Sequence, residues 1–236
     1  KVSLANINKS NFGFAPDVEN NQILFGLKGM LNVGDDVVAA IIEKRPFASP
    51  KDFLMRVKPS KQAMISLIKG GAFDDMEDRK FVMAWYLWET CDKKKRITLQ
   101  NMGGLTKYNL LLEDTEDQIM ARRVYEFNRY LKAVCKLNTE QYVLDDRAIK
   151  FLMEIDCENL LFSVDNRMRI KVKEWDKIYQ NWMNIFRSWM SENQESILQS
   201  LNEIIFLEEW NKYASGNISA WEMEVLCFYY HEHELA

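Results

Sequence analysis

Apolar positions along this chain recur mostly at intervals of three and four, the spacing that gathers side chains on one face of a helix. Val37, Val38, Ala40, Ile41 and Ile42 predict a helix over 35–44 that stops at Arg45-Pro46, because the residue before proline is pushed out of the α region. Ser49-Pro50-Lys51-Asp52 supplies an N-cap oxygen, a proline at the first helical position and an acid in the first turn, predicting a short helix to about Val57. Ser60 opens another, with Ala63, Met64, Leu67 and Ile68 at helical spacing, and Gly70-Gly71 provides the left-handed residue that ends it. Longer amphipathic helices are predicted over 76–91, 115–135 and 146–153, with loops through 93–104 and 138–144. The rhythm breaks at 160–172. There Phe162, Val164, Met168, Ile170 and Val172 alternate with polar residues around Asp165-Asn166, predicting a small β-hairpin. Trp175, Ile178, Trp182, Ile185, Phe186 and Trp189 trace one helix face, and Ile197, Leu198, Leu201, Ile204 and Ile205 trace another, in a helix that Gly216 ends. Ser219 and Glu222 have the spacing of a capping box and open a final helix. The expected fold is mainly α, divided into residues 1–90, 91–218 and 219–236.

Composition narrows the class without naming a chemistry. With 47% hydrophobic and 28% charged residues, 9 Gly and 4 Pro in 236 residues, the chain is neither disordered nor collagen-like, and too poor in turn formers for an all-β fold. Cys91, Cys135, Cys157 and Cys227 are scattered without a C-x-x-C, which argues against a zinc ribbon or disulfide framework and for reduced thiols in a cytoplasmic protein. No apolar run approaches the ~20 residues that span a bilayer, so a soluble protein is expected. The chain begins at Lys1 with neither Met nor a leader pattern, and reads as a piece of something longer. A net charge of −4 makes it no polycation.

The informative stretch is Phe25-Gly26-Leu27-Lys28-Gly29-Met30-Leu31-Asn32-Val33-Gly34-Asp35-Asp36, followed by the apolar run to Ile42. It fits a helix-hairpin-helix, with a first short helix over 25–30, a tight turn ending in Gly, and a second helix. Backbone N–H groups at Asn32, Val33, Gly34 and Asp35 would then face outward at the second helix's start, where hydrogen bonds and the helix dipole hold a phosphate oxygen. Such contact, with Lys28 beside it, is independent of base sequence. From Lys44 to Lys69 seven cations (Lys44, Arg45, Lys51, Arg56, Lys58, Lys61, Lys69) face one acid, Asp52, and are candidates for the DNA backbone. Against this, Asp35 and Asp36 favour the helix dipole but oppose phosphate.

At this point four separated stretches resemble the α subunit of bacterial DNA polymerase III, a C-family replicative polymerase. Ala5-Asn6-Ile7-Asn8-Lys9-Ser10 followed by Phe14 is similar to its P-D-I-N-x-S-x-x-x-F, and residues 25–42 to its F-G-L-x-x-I-K-G-V-G-x-x-x-x-x-I-I. Leu67-Ile68-Lys69-Gly70-Gly71-Ala72-Phe73-Asp74 resembles L-I-x-A-G-A-F-D, and residues 222–235 resemble the E-x-E-x-L-G-x-Y-L-S-G-H-P-L before the family's OB-fold. Asn32 replaces the hairpin's first Gly, which a residue that visits positive φ can do. Cys227, Glu232 and Glu234 replace Gly, Gly and Pro. The resemblance implies a divergent, phage-like member, taken from the end of the fingers to just before the OB-fold, that grips duplex DNA. It implies a parent that extends DNA by nucleotidyl transfer on palm aspartates holding a divalent metal such as magnesium, and that meets a sliding clamp. The piece itself would hold no catalytic residue, metal or cofactor.

Other motifs have plainer readings. The Trp175, Trp182 and Trp189 face belongs in a core, and Lys93-Lys94-Lys95-Arg96 in a solvated loop. His231 and His233 lack a third metal ligand, Gln194-Glu195-Ser196-Ile197-Leu198 resembles a clamp-docking peptide only loosely, and Ser219 is a cap. Residues 1–90 carry 12 basic and 11 acidic groups and the remainder 19 and 24, so DNA would belong to the first half. Two alternatives stay open: a helical protein-interaction scaffold, and the helix-hairpin-helix module of a repair enzyme.

Overall fold

A computed structural model of the chain describes residues 1–98, 100–110, 122, 125, 126, 136, 137 and 140–231. The helix expected at 115–135 lies outside these except for 122, 125 and 126. Contacts gather the chain into two units, Lys1–Asp92 with Phe206–Ala236, and Lys93–Ile205.

The first unit opens with strands absent from the helical pattern. β1 (Val2–Ser3) runs parallel to β3 (Gln22–Leu24), and β2 (Ala15–Asp17) runs antiparallel to it, giving the order β1-β3-β2. Strands of two and three residues are too short to show alternation. The helix expected at 25–30 is instead a single 3₁₀ turn, Leu27–Gly29. Glycine weakens helix, and Gly26 packs so tightly that a Cβ would lie 2.5 Å from the Gly13 carbonyl carbon. The next helices follow the punctuation: α1 (Asp35–Lys44), α2 (Pro50–Val57) and α3 (Lys61–Lys69). Ser49 and Ser60 accept the cap hydrogen bonds from the N–H groups of Asp52 and Ala63 at 3.1 and 3.2 Å. Gly71, at φ +77°, is the left-handed residue after α3. α4 (Arg79–Thr90) starts later than 76, because Asp78 caps it by accepting from Phe81 N–H at 2.9 Å. These helices bury one core, in which Phe53 makes edge contacts with Phe47 and Phe73 at centroid distances of 5.1 and 5.2 Å. Each such ring adds roughly 1.5–3 kcal/mol through burial.

In the second unit, the expected loop at 93–104 gives way at its end to α5 (Met102–Lys107). The loop expected at 138–144 holds a strand: β4 (Lys136–Leu137) and β5 (Gln141–Val143) precede α6 (Asp146–Glu154), and β6 (Phe162–Val164) and β7 (Arg167–Lys171) form the anticipated hairpin. Asp165 and Asn166 turn it with both φ positive, at 51° and 57°, the backbone of a type I′ turn. The sheet is antiparallel in the order β4-β5-β7-β6. Trp175, Trp182 and Trp189 are buried in this unit's core, as their spacing implied.

The two helices expected at 175–189 and 197–205 are one, α7 (Val172–Tyr213), of 42 residues. Residues 191–196 are polar but contain neither Gly nor Pro, so nothing stops the backbone ladder while the apolar face lapses. After Gly216, at φ +86°, α8 (Ile218–Leu226) begins with Asn217 accepting from Ala220 N–H at 2.8 Å. Asn217, not Ser219, is therefore the cap.

Glu222, freed from capping, faces inward. Its Oε1 accepts from Arg79 at 3.0 Å and from His231 Nδ1 at 2.7 Å, and its Oε2 accepts the N–H groups of Tyr230 and His231, both at 3.0 Å. Arg79 also donates to the Lys69 carbonyl at 3.0 Å and pairs with Asp74. Burial pushes the Glu222 carboxyl up, but the bonds from His231 and then Arg79 outweigh it and hold the pKa below the ordinary value. Burial likewise works against the Arg79 charge, and Asp74 and Glu222 overcome it, so its pKa is raised. This network, with Trp221, Val225 and Leu226 buried in the first unit's core, fixes α8 there.

Candidate nucleic-acid interface

Residues 25–34 lead through a turn into α1. Phe25 is buried between Phe14 and Phe228, at centroid distances of 5.0 and 5.5 Å, and anchors the segment. Gly29 lies so close to that ring that a Cβ would come within 2.7 Å of it. The turn then closes by hydrogen bonds from Met30 N–H to Leu27 O and from Val33 N–H to Met30 O, both 3.3 Å. Asn32 takes φ +63°, the conformation a glycine would adopt there, and its amide reaches Ser66 Oγ at 3.4 Å. A contact from far along the chain braces the turn: Leu31 N–H donates to the Val225 carbonyl of α8 at 2.9 Å.

Gly34 caps α1 with extended backbone and contributes no side chain. Among the described residues, the N–H groups of Asn32, Gly34 and Asp35 have no protein acceptor, whereas that of Val33 is turned inward to Met30. Three of the four expected donors are thus free. They adjoin a cavity of about 460 Å³ lined by residues 28–34 together with Val225 and Cys227. Lys28 stands at its edge, paired with Asp35 at 2.7 Å, with both side chains largely exposed. A pair in that setting contributes about 0–1 kcal/mol and is readily exchanged for another anion. Asp36 is folded back over the turn, since a Cβ on Gly34 would lie 2.6 Å from its Oδ1. The helix N-terminus is thereby covered in part by its own acid.

The seven cations of the basic stretch divide by what they hold. Lys44 Nζ donates to the Arg56 carbonyl at 2.8 Å, and Arg56 donates to the Lys44 carbonyl and to Pro46 O, the latter at 2.9 Å. Arg45 donates to Ser10 O at 3.0 Å and Asn11 Oδ1 at 3.1 Å. These three tie α1 to the loops around it. Lys61 pairs with Glu209, and Lys69, buried, pairs with Glu224 at 2.6 Å. Lys51 and Lys58 are exposed and make no ion pair among the described residues. Sequence counting treated all seven alike, whereas for two of them the side chain has no partner among the described residues. Missed by that reading were the wall residues Val225 and Cys227, which no local pattern could bring to residues 28–34.

The remaining motifs fall away from the turn. Gln194 lies within α7 and accepts Ile97 N–H at 3.2 Å, while Ile197 of the same clamp-like segment is buried. His233 lies outside the described residues, among which no group of three His, Cys, Asp or Glu side chains could hold a metal. No helix among them is long and apolar enough to cross a membrane.

A family model described as a helix-hairpin-helix motif matches residues 1–82. The whole chain is 34% identical, over 246 aligned positions, to "Probable DNA polymerase YorL" of Bacillus subtilis (strain 168), and equally to a DNA-directed DNA polymerase of Bacillus phage SPbeta. It spans 18% of the length of each. An 85-position match at 41% identity, covering 33% of the chain and 7% of the relative, joins it to DNA polymerase III subunit alpha of Thermus aquaticus.

Proposed function

Because a helix-hairpin-helix model matches residues 1–82, the whole chain is similar to a bacterial and a phage DNA polymerase, and a third of it is similar to a DNA polymerase III α subunit, we propose that it grips duplex DNA for such a polymerase. The observation that carries the reading is the set of N–H groups at Asn32, Gly34 and Asp35 with no acceptor among the described residues, at the start of α1 beside a cavity that Asn32 and Gly34 line. A phosphate oxygen accepts those donors, favoured by the α1 dipole, and Lys28 leaves Asp35 to join it. Phosphates carry no base identity, so the grip is independent of sequence and serves to position product or template. Lys51 and Lys58 add screened, longer-range attraction, while Lys44, Arg45, Arg56, Lys61 and Lys69 serve the fold first.

The whole protein, of which the chain spans 18% in its relatives, is on this reading a DNA-directed DNA polymerase of a bacterial or phage-infected cell's cytoplasm. Its nucleotidyl transfer requires a divalent metal, magnesium in the resemblance, and its partners include a sliding clamp. The described residues supply no ligand cluster for that ion. On this reading the chain's share is to bind and position DNA, with catalysis carried elsewhere in the whole protein.

The test is binding to a fluorescent primer–template duplex across a salt series, beside Gly34→Val. Wild type binds weakly and with a log–log salt slope of ~0.9 per neutralised phosphate. In Gly34→Val the new side chain meets the Asp36 carboxylate and closes the approach, so binding is lost. Duplex affinity that ignores Gly34 in a folded variant, or no binding at low salt, makes the turn structural and the scaffold reading correct.

A further inference from the structure

The four-stranded sheet of the second unit has two unlike faces. Tyr142 pairs with Ile170 across β5 and β7, and both belong with Trp175, whose ring lies 5.8 Å from that of Tyr142. Side chains alternate along a strand, so Arg167, Arg169 and Lys171 of β7 share the other face with Phe162 and Val164 of β6. Phe162 is paired with Arg169 and Val164 with Arg167. Neither Phe162 nor Val164 takes part in the unit's core among the described residues. Arg167, Lys171 and Val164 are exposed and Phe162 is half-buried.

Arg169 is fixed, donating to Gln141 Oε1 at 3.1 Å and facing Asp165 at 3.5 Å. Arg167 and Lys171 make no ion pair among the described residues. One strand thus holds three cations at alternate positions, ~7 Å apart, beside an aromatic ring, in a part of the chain that is acidic overall.

We infer that this face binds single-stranded DNA, Arg167 and Lys171 meeting its phosphates and the Phe162 ring stacking on an unpaired base. Charge alone would also suit an acidic peptide. The ring decides for nucleic acid, since an aromatic beside cations gives stacking that tolerates any base, and a duplex keeps its base faces covered. Only the choice of DNA over RNA rests on the polymerase reading above.

The experiment is anisotropy of labelled oligo(dT) with the 236-residue chain over a salt series, each variant's fold being checked by circular dichroism. Arg167→Ala with Lys171→Ala makes the log–log slope shallower by about 1.4, at ~0.7 per contact on single strands. Phe162→Leu, which keeps apolar bulk but loses the ring, weakens binding about tenfold, and Phe162→Tyr restores it. Gly34→Val leaves oligo(dT) binding intact while duplex binding is lost. If the duplex is never bound but oligo(dT) needs Arg167 and Lys171, the hairpin reading falls and this one stands. The inference is overturned if oligo(dT) does not bind at low salt, or if the double variant keeps the wild-type slope. It is also overturned if oligo-glutamate of matched charge competes equally and Phe162→Leu has no effect, which would assign the face to an acidic protein.

Discussion

At the scale of single residues, the hairpin turns on two positions. Asn32 holds φ +63°, where a residue with a branched Cβ is strained and glycine is at ease. Asn32→Val should lower stability by roughly 1–2 kcal/mol and weaken duplex binding with it, while Asn32→Gly keeps both; thermal melts beside anisotropy check this. Asp36 presents the opposite case, a carboxylate over the donors that phosphate needs. Asp36→Asn should tighten duplex binding at low salt, and an unchanged or weaker affinity would show that the acid does not oppose phosphate. Sequence made Asn32 readable because so few residue types visit that conformation. It could not show that Val33 spends its N–H inside the turn, since donor direction is set by a dihedral rather than by a residue type.

At the scale of elements, legibility followed the strength of local chemistry. Helices α2 and α3 begin where Ser49 and Ser60 accept their hydrogen bonds, because an N-cap is a contact between residues three apart. Ser60→Ala should cost about 1 kcal/mol, read as a lower denaturation midpoint. The β6–β7 turn was equally local. Asn166, at φ 57°, becomes more stable as Asn166→Gly, by a few tenths to 1 kcal/mol. β5 escaped notice because three residues show no period, and only pairing with β7 makes them a strand. The division of α7 into two helices failed for a related reason: a polar lapse at 191–196 interrupts the apolar face but not the hydrogen-bond ladder.

At the scale of the whole molecule, sequence reading sets boundaries at 90 and 218, whereas contacts place them at 92 and 205 and return the last stretch to the first unit. No propensity encodes that return. Its chemistry is the buried pairing of Arg79 with Glu222. Removing one partner of such a pair leaves a charge without compensation, at about 3–5 kcal/mol. Glu222→Ala should therefore unfold the first unit at lower denaturant. The pH dependence follows from the depressed Glu222 pKa. Its stabilisation is present above the ordinary value of 4.5 and is lost as the pH falls through the folded value. Glu222→Gln should be less stable at neutral pH and show a flatter acid limb, and parallel melting curves from pH 7 downward would contradict this assignment.

The hydrogen bond from Leu31 N–H to the Val225 carbonyl spans nearly the whole chain. A ribosome delivers residue 31 long before residue 225, so on the growing polypeptide the hairpin waits, its turn unbraced and the apolar seat of Trp221 open, until α8 emerges. If the turn holds DNA as proposed, its competence is deferred to the end of this stretch of synthesis, and a nascent chain stalled before α8 presents neither a braced turn nor a closed core.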